Sequence, residues 1–133
     1  MARLSPSELI ILDLSEFNLY TVEQALRREF PALVLNVRLG DVGDNVAIDR
    51  LMRDRRPQVV FHAAAYKHVP MLEAQCREAV RNNVLGTQAI ALKAAEYSVE
   101  TFVLISSDKA VNPTNVMGAT KRLAEIVCQS LGP

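Results

Sequence analysis

The segment TFVLISSDKAVNPTNVMGATK, residues 101–121, holds a short apolar run, a cluster of hydroxyl and charged residues, and the start of a helical pattern, in that order. Residues 101–105 form a run that is apolar after Thr101 and too short for a helix, which is the mark of a strand buried on both faces, as in a parallel sheet. Three similar runs lie upstream, at residues 9–12 (closing at Asp13), 33–37 and 59–61. Between the runs the apolar residues recur at helical spacing, over 18–30, 46–55, 70–97 and 114–131. This alternation predicts an α/β chain with a doubly wound parallel sheet, four strands being recognisable. No internal repeat or low-complexity segment interrupts it, so residues 1–133 are expected to form one partial domain.

Bulk properties narrow the function. Fifteen basic and fifteen acidic residues cancel, which leaves no electrostatic footprint for nucleic acid. No apolar run approaches the roughly 18 residues of a membrane span, and no signal-peptide pattern opens the chain. Cys76 and Cys128 have no partner motif and fall within helical stretches. They read as buried reduced thiols, with no metal site, and point to a reducing, cytoplasmic compartment.

Ligands of open α/β sheets bind beyond the carboxyl ends of the strands, and each of the four ends offers a candidate. Asp13 closes the first strand, where a carboxylate suits an adenosine ribose diol; a turn or helix-capping Asp is the plainer account, since Ser15 and Glu16 follow. Gly40-Asp41-Val42 closes the second, where Asp41 and Val42 suit an adenine ring or simply a turn. After the third come Ala63, Ala64 and Ala65, small enough for a flat ligand to approach the backbone or simply core filling, and then Lys67. After the fourth come Ser107, Asp108 and Lys109, with Met117 and Lys121 four apart on one face of the helix that follows; a capped, solvated turn is the plainer account of that cluster. Five glycines are present, but none in the G-x-G-x-x-G arrangement that cradles a dinucleotide pyrophosphate. Asn83 lies on the apolar stripe of the 70–97 helix, and a buried amide needs partners. Both a structural pin to a neighbouring strand and the ordering of an active-site water or backbone remain open for it.

Four stretches, LDLSEFNLY at 12–20, FHAAAYKHVP at 61–70, NNVLGT at 82–87 and SSDKAVNP at 106–113, resemble the extended short-chain dehydrogenase/reductase superfamily. The resemblance is to its polysaccharide-biosynthesis nucleotide-sugar 4,6-dehydratases, and it runs along essentially the whole chain. It implies NAD or NADP as cofactor, NAD being preferred, and a UDP-sugar as substrate of the complete enzyme. Asp13 then matches the ribose-binding acid, Asp41 with Val42 the adenine contact, Ala63 to Ala65 the strip along the cofactor, and Lys67 a residue near nicotinamide or sugar. Ser107 matches the catalytic Ser/Thr and Lys121 the lysine at the nicotinamide ribose. Asp108 and Lys109 match the acid and base of the elimination.

Where the superfamily usually has Tyr, four residues before the lysine, this chain has Met117. That resembles a Ser-Met-Lys subgroup of large dehydratases with an N-terminal membrane region, although this segment itself is expected to make no membrane contact. Relative to the resemblance, the chain is expected to lack the first strand, its glycine-rich turn and first helix, and, after the catalytic helix, the rest of the sheet and the sugar-nucleotide subdomain. The isolated chain is therefore expected to be inactive. With the central strand missing, residues 9–12 are expected to pair directly with 59–61. A non-catalytic nucleotide-binding or assembly module and a sugar epimerase are the competing readings; oligomeric state is left open.

Overall fold

The computed structural model describes residues 1–132, which fall into two compact units divided between Asp41 and Val42. The first contains a 3-10 turn (Ala2–Leu4), β1 (Leu9–Asp13), α1 (Glu16–Glu29) and β2 (Leu35–Leu39). β1 and β2 are parallel, with Leu9 opposite Leu35 and Asp13 opposite Leu39, and α1 lies against both. Ser15 opens α1 by accepting from Asn18 N at 3.3 Å, and Arg27 and Arg28 sit in its last turn, where the helix dipole favours cations. The second strand lies two residues later than the apolar run suggests. Val34 O already accepts from Leu9 N, but the ladder continues through Arg38 and the exposed Leu39, whose outward side chains hid it.

The second unit contains α2 (Asn45–Arg55), β3 (Val59–His62), α3 (Val69–Ala74), α4 (Cys76–Val80), a π turn (Arg81–Leu85), α5 (Gly86–Glu96), β4 (Thr101–Leu104), a second 3-10 turn (Asp108–Ala110) and α6 (Val116–Leu131). Asp44 caps α2 through Val46 N and Ala47 N at 3.0 and 3.1 Å. β3 and β4 are parallel, with Val59 opposite Thr101 and His62 opposite Leu104. α5 packs on α2 and α6 and buries Ile90, Ala91 and Ala94. Asp49 of α2 receives both Lys93 Nζ (2.8 Å) and Tyr97 OH (3.0 Å) from the α5 end.

Two expectations are corrected. The helix expected over 70–97 breaks at Gln75 (φ −132°, ψ 48°) and is underwound at the π turn, so its apolar stripe loses phase. Cys76 is accordingly exposed, not buried, and Cys128 is only half-buried, though both thiols are free. The strands are also less buried than expected: every β1 residue is partly accessible, and Val59 and Phe61 are 43% and 44% exposed. Among the described residues, strands pair as β1–β2 in the first unit and β3–β4 in the second.

Candidate active site

The carboxyl end of β3 is fixed by a chain of buried polar groups. His62 is 2% exposed and its Nε2 lies 2.9 Å from Thr87 Oγ1. The Thr87 hydroxyl donates its one proton to Asn83 O at 2.7 Å, so it must accept from His62, which fixes the tautomer with hydrogen on Nε2. Asn83 uses its whole amide. Oδ1 accepts from Tyr66 N (2.8 Å) and Asn82 Nδ2 (3.0 Å), while Nδ2 donates to Tyr66 O and Thr120 Oγ1, both at 3.0 Å. These bonds tie Asn83 to no neighbouring strand; they order the Tyr66 backbone, between the alanine strip and Lys67, and reach Thr120 of α6. The π turn is what the sequence did not reveal: one extra residue per turn presents Asn83 at this spot, as such turns often do at functional sites. Burial, reinforced by the positive charge of Lys121, pushes the His62 imidazole down to about 4, so the ring is neutral at physiological pH.

At the end of β4, Ser107 is extended and its Oγ caps the short turn by accepting from Lys109 N at 3.2 Å. Asp108 Oδ1 accepts from Ser107 Oγ (3.1 Å), Lys109 N (3.0 Å) and Lys109 Nζ (3.3 Å). The Ser107 hydroxyl, followed by Lys109, holds the Asp108 carboxyl below the usual carboxylate range. Asp108 and Lys109 side chains are 87% and 50% exposed, so this charged pair faces solvent at a strand end.

α6 brings the rest. Asn115 caps it by accepting from Gly118 N at 2.8 Å, and Glu73 of α3 reaches across to Val116 N at 2.6 Å. Lys121 is 6% exposed and its Nζ donates to Ile105 O at 2.5 Å. Burial pulls its pKa below the ordinary lysine value, and Glu125 and Cys128 oppose that. Met117 does not share this outlook. It is 4% exposed in an apolar cluster with Leu72 and Ala79, flanked by Val69 and Val116. Gly118 was not singled out in the sequence, yet a Cβ there would collide with the Lys109 carbonyl oxygen and lie 3.0 Å from its carbon and 3.2 Å from Pro113 Cβ. Only the absent side chain lets α6 approach the Ser107–Lys109 turn this closely.

Ser107, Asp108, Lys109 and Lys121 thus gather around one strand end, with Ala63 and Ala64 exposed, Ala65 half-buried and Lys67 exposed beyond β3. Ala63 and Ala64 carry nothing beyond Cβ to shield the backbone there. Val42 is buried, with its Cγ2 facing Gly86. Asp13 and Asp41 belong to the first unit. Asp13 Oδ1 accepts from Ser15 N at 2.7 Å, the turn role weighed for it above, and Asp41 ends that unit after Gly40.

Residues 1–132 match the model of a family described as polysaccharide biosynthesis protein. Capsular polysaccharide biosynthesis protein CapD of Staphylococcus aureus is 45% identical over 132 residues, 98% of this chain but 22% of that protein. A UDP-glucose 4-epimerase of Rickettsia canadensis is 36% identical over 120 residues, 87% of this chain and 35% of its own. The UDP-N-acetylglucosamine 4,6-dehydratase (inverting) of Campylobacter jejuni is 34% identical over 116 residues, 87% of this chain and 33% of its own. The X-ray structure of Pen from Bacillus thuringiensis superposes with a TM-score of 0.84 at 32% identity, over 95% of this chain and 38% of that one. The α/β pattern is therefore that of a partial Rossmann-like domain, and the chain spans about a fifth to a third of the curated relatives it matches.

Proposed function

The chain belongs to the polysaccharide biosynthesis protein family, and from that premise we propose that the protein containing it is a nucleotide-sugar 4,6-dehydratase acting on a UDP-N-acetylhexosamine in the cytoplasm. The observation that carries this reading is the Asp108–Lys109 pair beside Ser107 at the end of β4, with Lys121 tied to the same strand end. The residues at this strand end would hold NAD or NADP, and the chemistry supplied by that group when bound would be reversible hydride transfer at C4 and C6. Lys121 would hold the nicotinamide ribose and Ser107 the oxygen at C4. With C4 oxidised, the C5 proton becomes acidic; Lys109 removes it while Asp108 protonates the departing C6 hydroxyl, which leaves as water. The two roles require groups whose protonation preferences differ. As folded here Asp108 is held ionised by Ser107 and Lys109, so the acid role requires the sugar to part Lys109 from Asp108 and to dry the carboxyl. Met117 carries no basic atom, and the acceptor of the C4 hydroxyl proton lies elsewhere.

The isolated chain, with no glycine-rich phosphate turn, is proposed to be inactive. The test supplies UDP-N-acetylglucosamine and NAD⁺ to the protein containing this chain and follows the 4-keto-6-deoxy product. Product from the 133-residue chain alone would overturn its inactivity. A C4 epimer formed without loss of water would favour the epimerase reading that the Rickettsia relative supports, because epimerisation uses no elimination acid and base.

A further inference from the structure

Two side chains of α6 hold the carboxyl end of β4. Lys121 Nζ donates to Ile105 O, and one turn further along Glu125 Oε1 accepts from Ser106 Oγ at 2.5 Å. The other Glu125 oxygen receives Arg122 Nη1 at 2.8 Å, so the carboxylate is oriented on both sides, and its side chain is only 24% exposed. Ser106 immediately precedes Ser107, whose backbone is extended (φ −148°, ψ 150°). Successive side chains of extended chain leave on opposite sides, so anchoring Ser106 on α6 turns Ser107 the other way, toward Asp108 and Lys109. Glu125 is also four residues from Lys121 and places a negative charge beside an ammonium that burial disfavours.

We propose that Glu125 is a positioning residue of this site: through Ser106 it sets the direction in which β4 presents Ser107, and it keeps an anion next to Lys121. The proposal rests on the dehydratase reading only for the work done by Ser107 and Lys121; the double anchor of β4 stands apart from it.

Two variants of the protein containing this chain separate the two duties. Ser106→Ala breaks the anchor and keeps the charge; Glu125→Gln keeps an acceptor for Ser106 and removes the charge. Misplacing a reacting group by about 1 Å is enough for a loss on the order of 100-fold, so Ser106→Ala is expected to lower kcat by roughly 10- to 100-fold without moving the alkaline limb of the pH profile. Glu125→Gln is expected to move that limb to lower pH, since Lys121 loses a group that favours its proton. The other ionisable groups that interact with Lys121 are Cys128 on the same helix and His62 on β3, and neither variant changes them; Arg122, paired with Glu125, loses its carboxylate partner in Glu125→Gln. Wild-type turnover with both variants indistinguishable from it would overturn the proposal. Amide hydrogen exchange on the 133-residue chain gives a second measure, with faster exchange over residues 105–109 expected in Ser106→Ala and Glu125→Ala. If wild-type protein shows no turnover, the dehydratase reading fails, and unchanged exchange at 105–109 would separately sink the anchor.

Discussion

Replacing Gly118 by alanine sets two effects of opposite sign against each other. On helix propensity alone the change should stabilise α6 by about 1 kcal/mol, because glycine is a poor interior residue. The added Cβ, however, would overlap the Lys109 carbonyl oxygen and stand 3.0 Å from its carbon. Carbon atoms rest at about 3.5–4.0 Å, so the turn must retreat by roughly 0.5–1 Å. The obstacle is backbone, which cannot swing aside, and overpacking of this kind costs about 1–3 kcal/mol. Steric strain therefore wins: Gly118→Ala should lower stability by up to about 2 kcal/mol after the propensity gain is subtracted. The same retreat displaces Asp108 and Lys109, so the turnover of the protein containing this chain should fall on the order of 100-fold. Gly86→Ala is the internal control. There the new methyl would meet nothing nearer than 3.8 Å, at Arg81 O and Val42 Cγ2, and the propensity gain stands alone. Urea denaturation of both variants decides the matter. Shifts of the same sign would refute the argument that α6 touches the Lys109 backbone.

His62 makes stability depend on pH. Its folded pKa of about 4 lies below the ordinary 6.5, so the unfolded chain binds a proton that the folded chain refuses; stability is full above 6.5 and is lost as pH falls toward 4, by about 3 kcal/mol in all. Urea titrations should show His62→Gln losing less stability than wild type between pH 7.5 and 4.5, and parallel losses would contradict this. In the protein containing this chain, Asp108→Asn and Lys109→Ala should each slow formation of the 4-keto product by about 10²–10⁴-fold, and wild-type rates in either would remove that residue from the mechanism. Met117→Tyr should cost about 1–3 kcal/mol, because a larger, polar ring must enter the Leu72–Ala79 cluster; a thermal melt should register the change, and an unshifted midpoint would show that the cluster has room.

The apolar runs and their helical intervals were visible in the sequence because each is a local pattern. The ends of β1, β3 and β4 lie within a residue of where those runs place them. What escaped was non-local. Nothing in Gln75 marks a helix break, since no Gly or Pro stands there, and a stripe read at constant angle through 70–97 put Cys76 and Val80 on the wrong face. Ser107, Asp108 and Lys109 were legible as a cluster because they are adjacent, and Lys121 because it resembles a known motif. Gly118, Glu125 and Glu73 were not, since each acts on a residue between 9 and 43 positions away. Met117 was grouped with Lys121 by spacing alone, and only packing shows that one enters the core while the other reaches β4.

The π turn at Arg81–Leu85 amounts to a one-residue insertion retained inside a helix. Deleting a single residue there would leave composition, charge and helical propensity almost untouched and restore ordinary α winding. Everything on the N-terminal side would nevertheless turn by about 100° relative to α5. Asn83 could then no longer meet Tyr66 and Thr120 while Thr87 kept His62. For this segment length is itself a coded quantity: a sequence that tolerates many substitutions between 76 and 96 should tolerate no net change in the number of residues between Asn83 and the helix start.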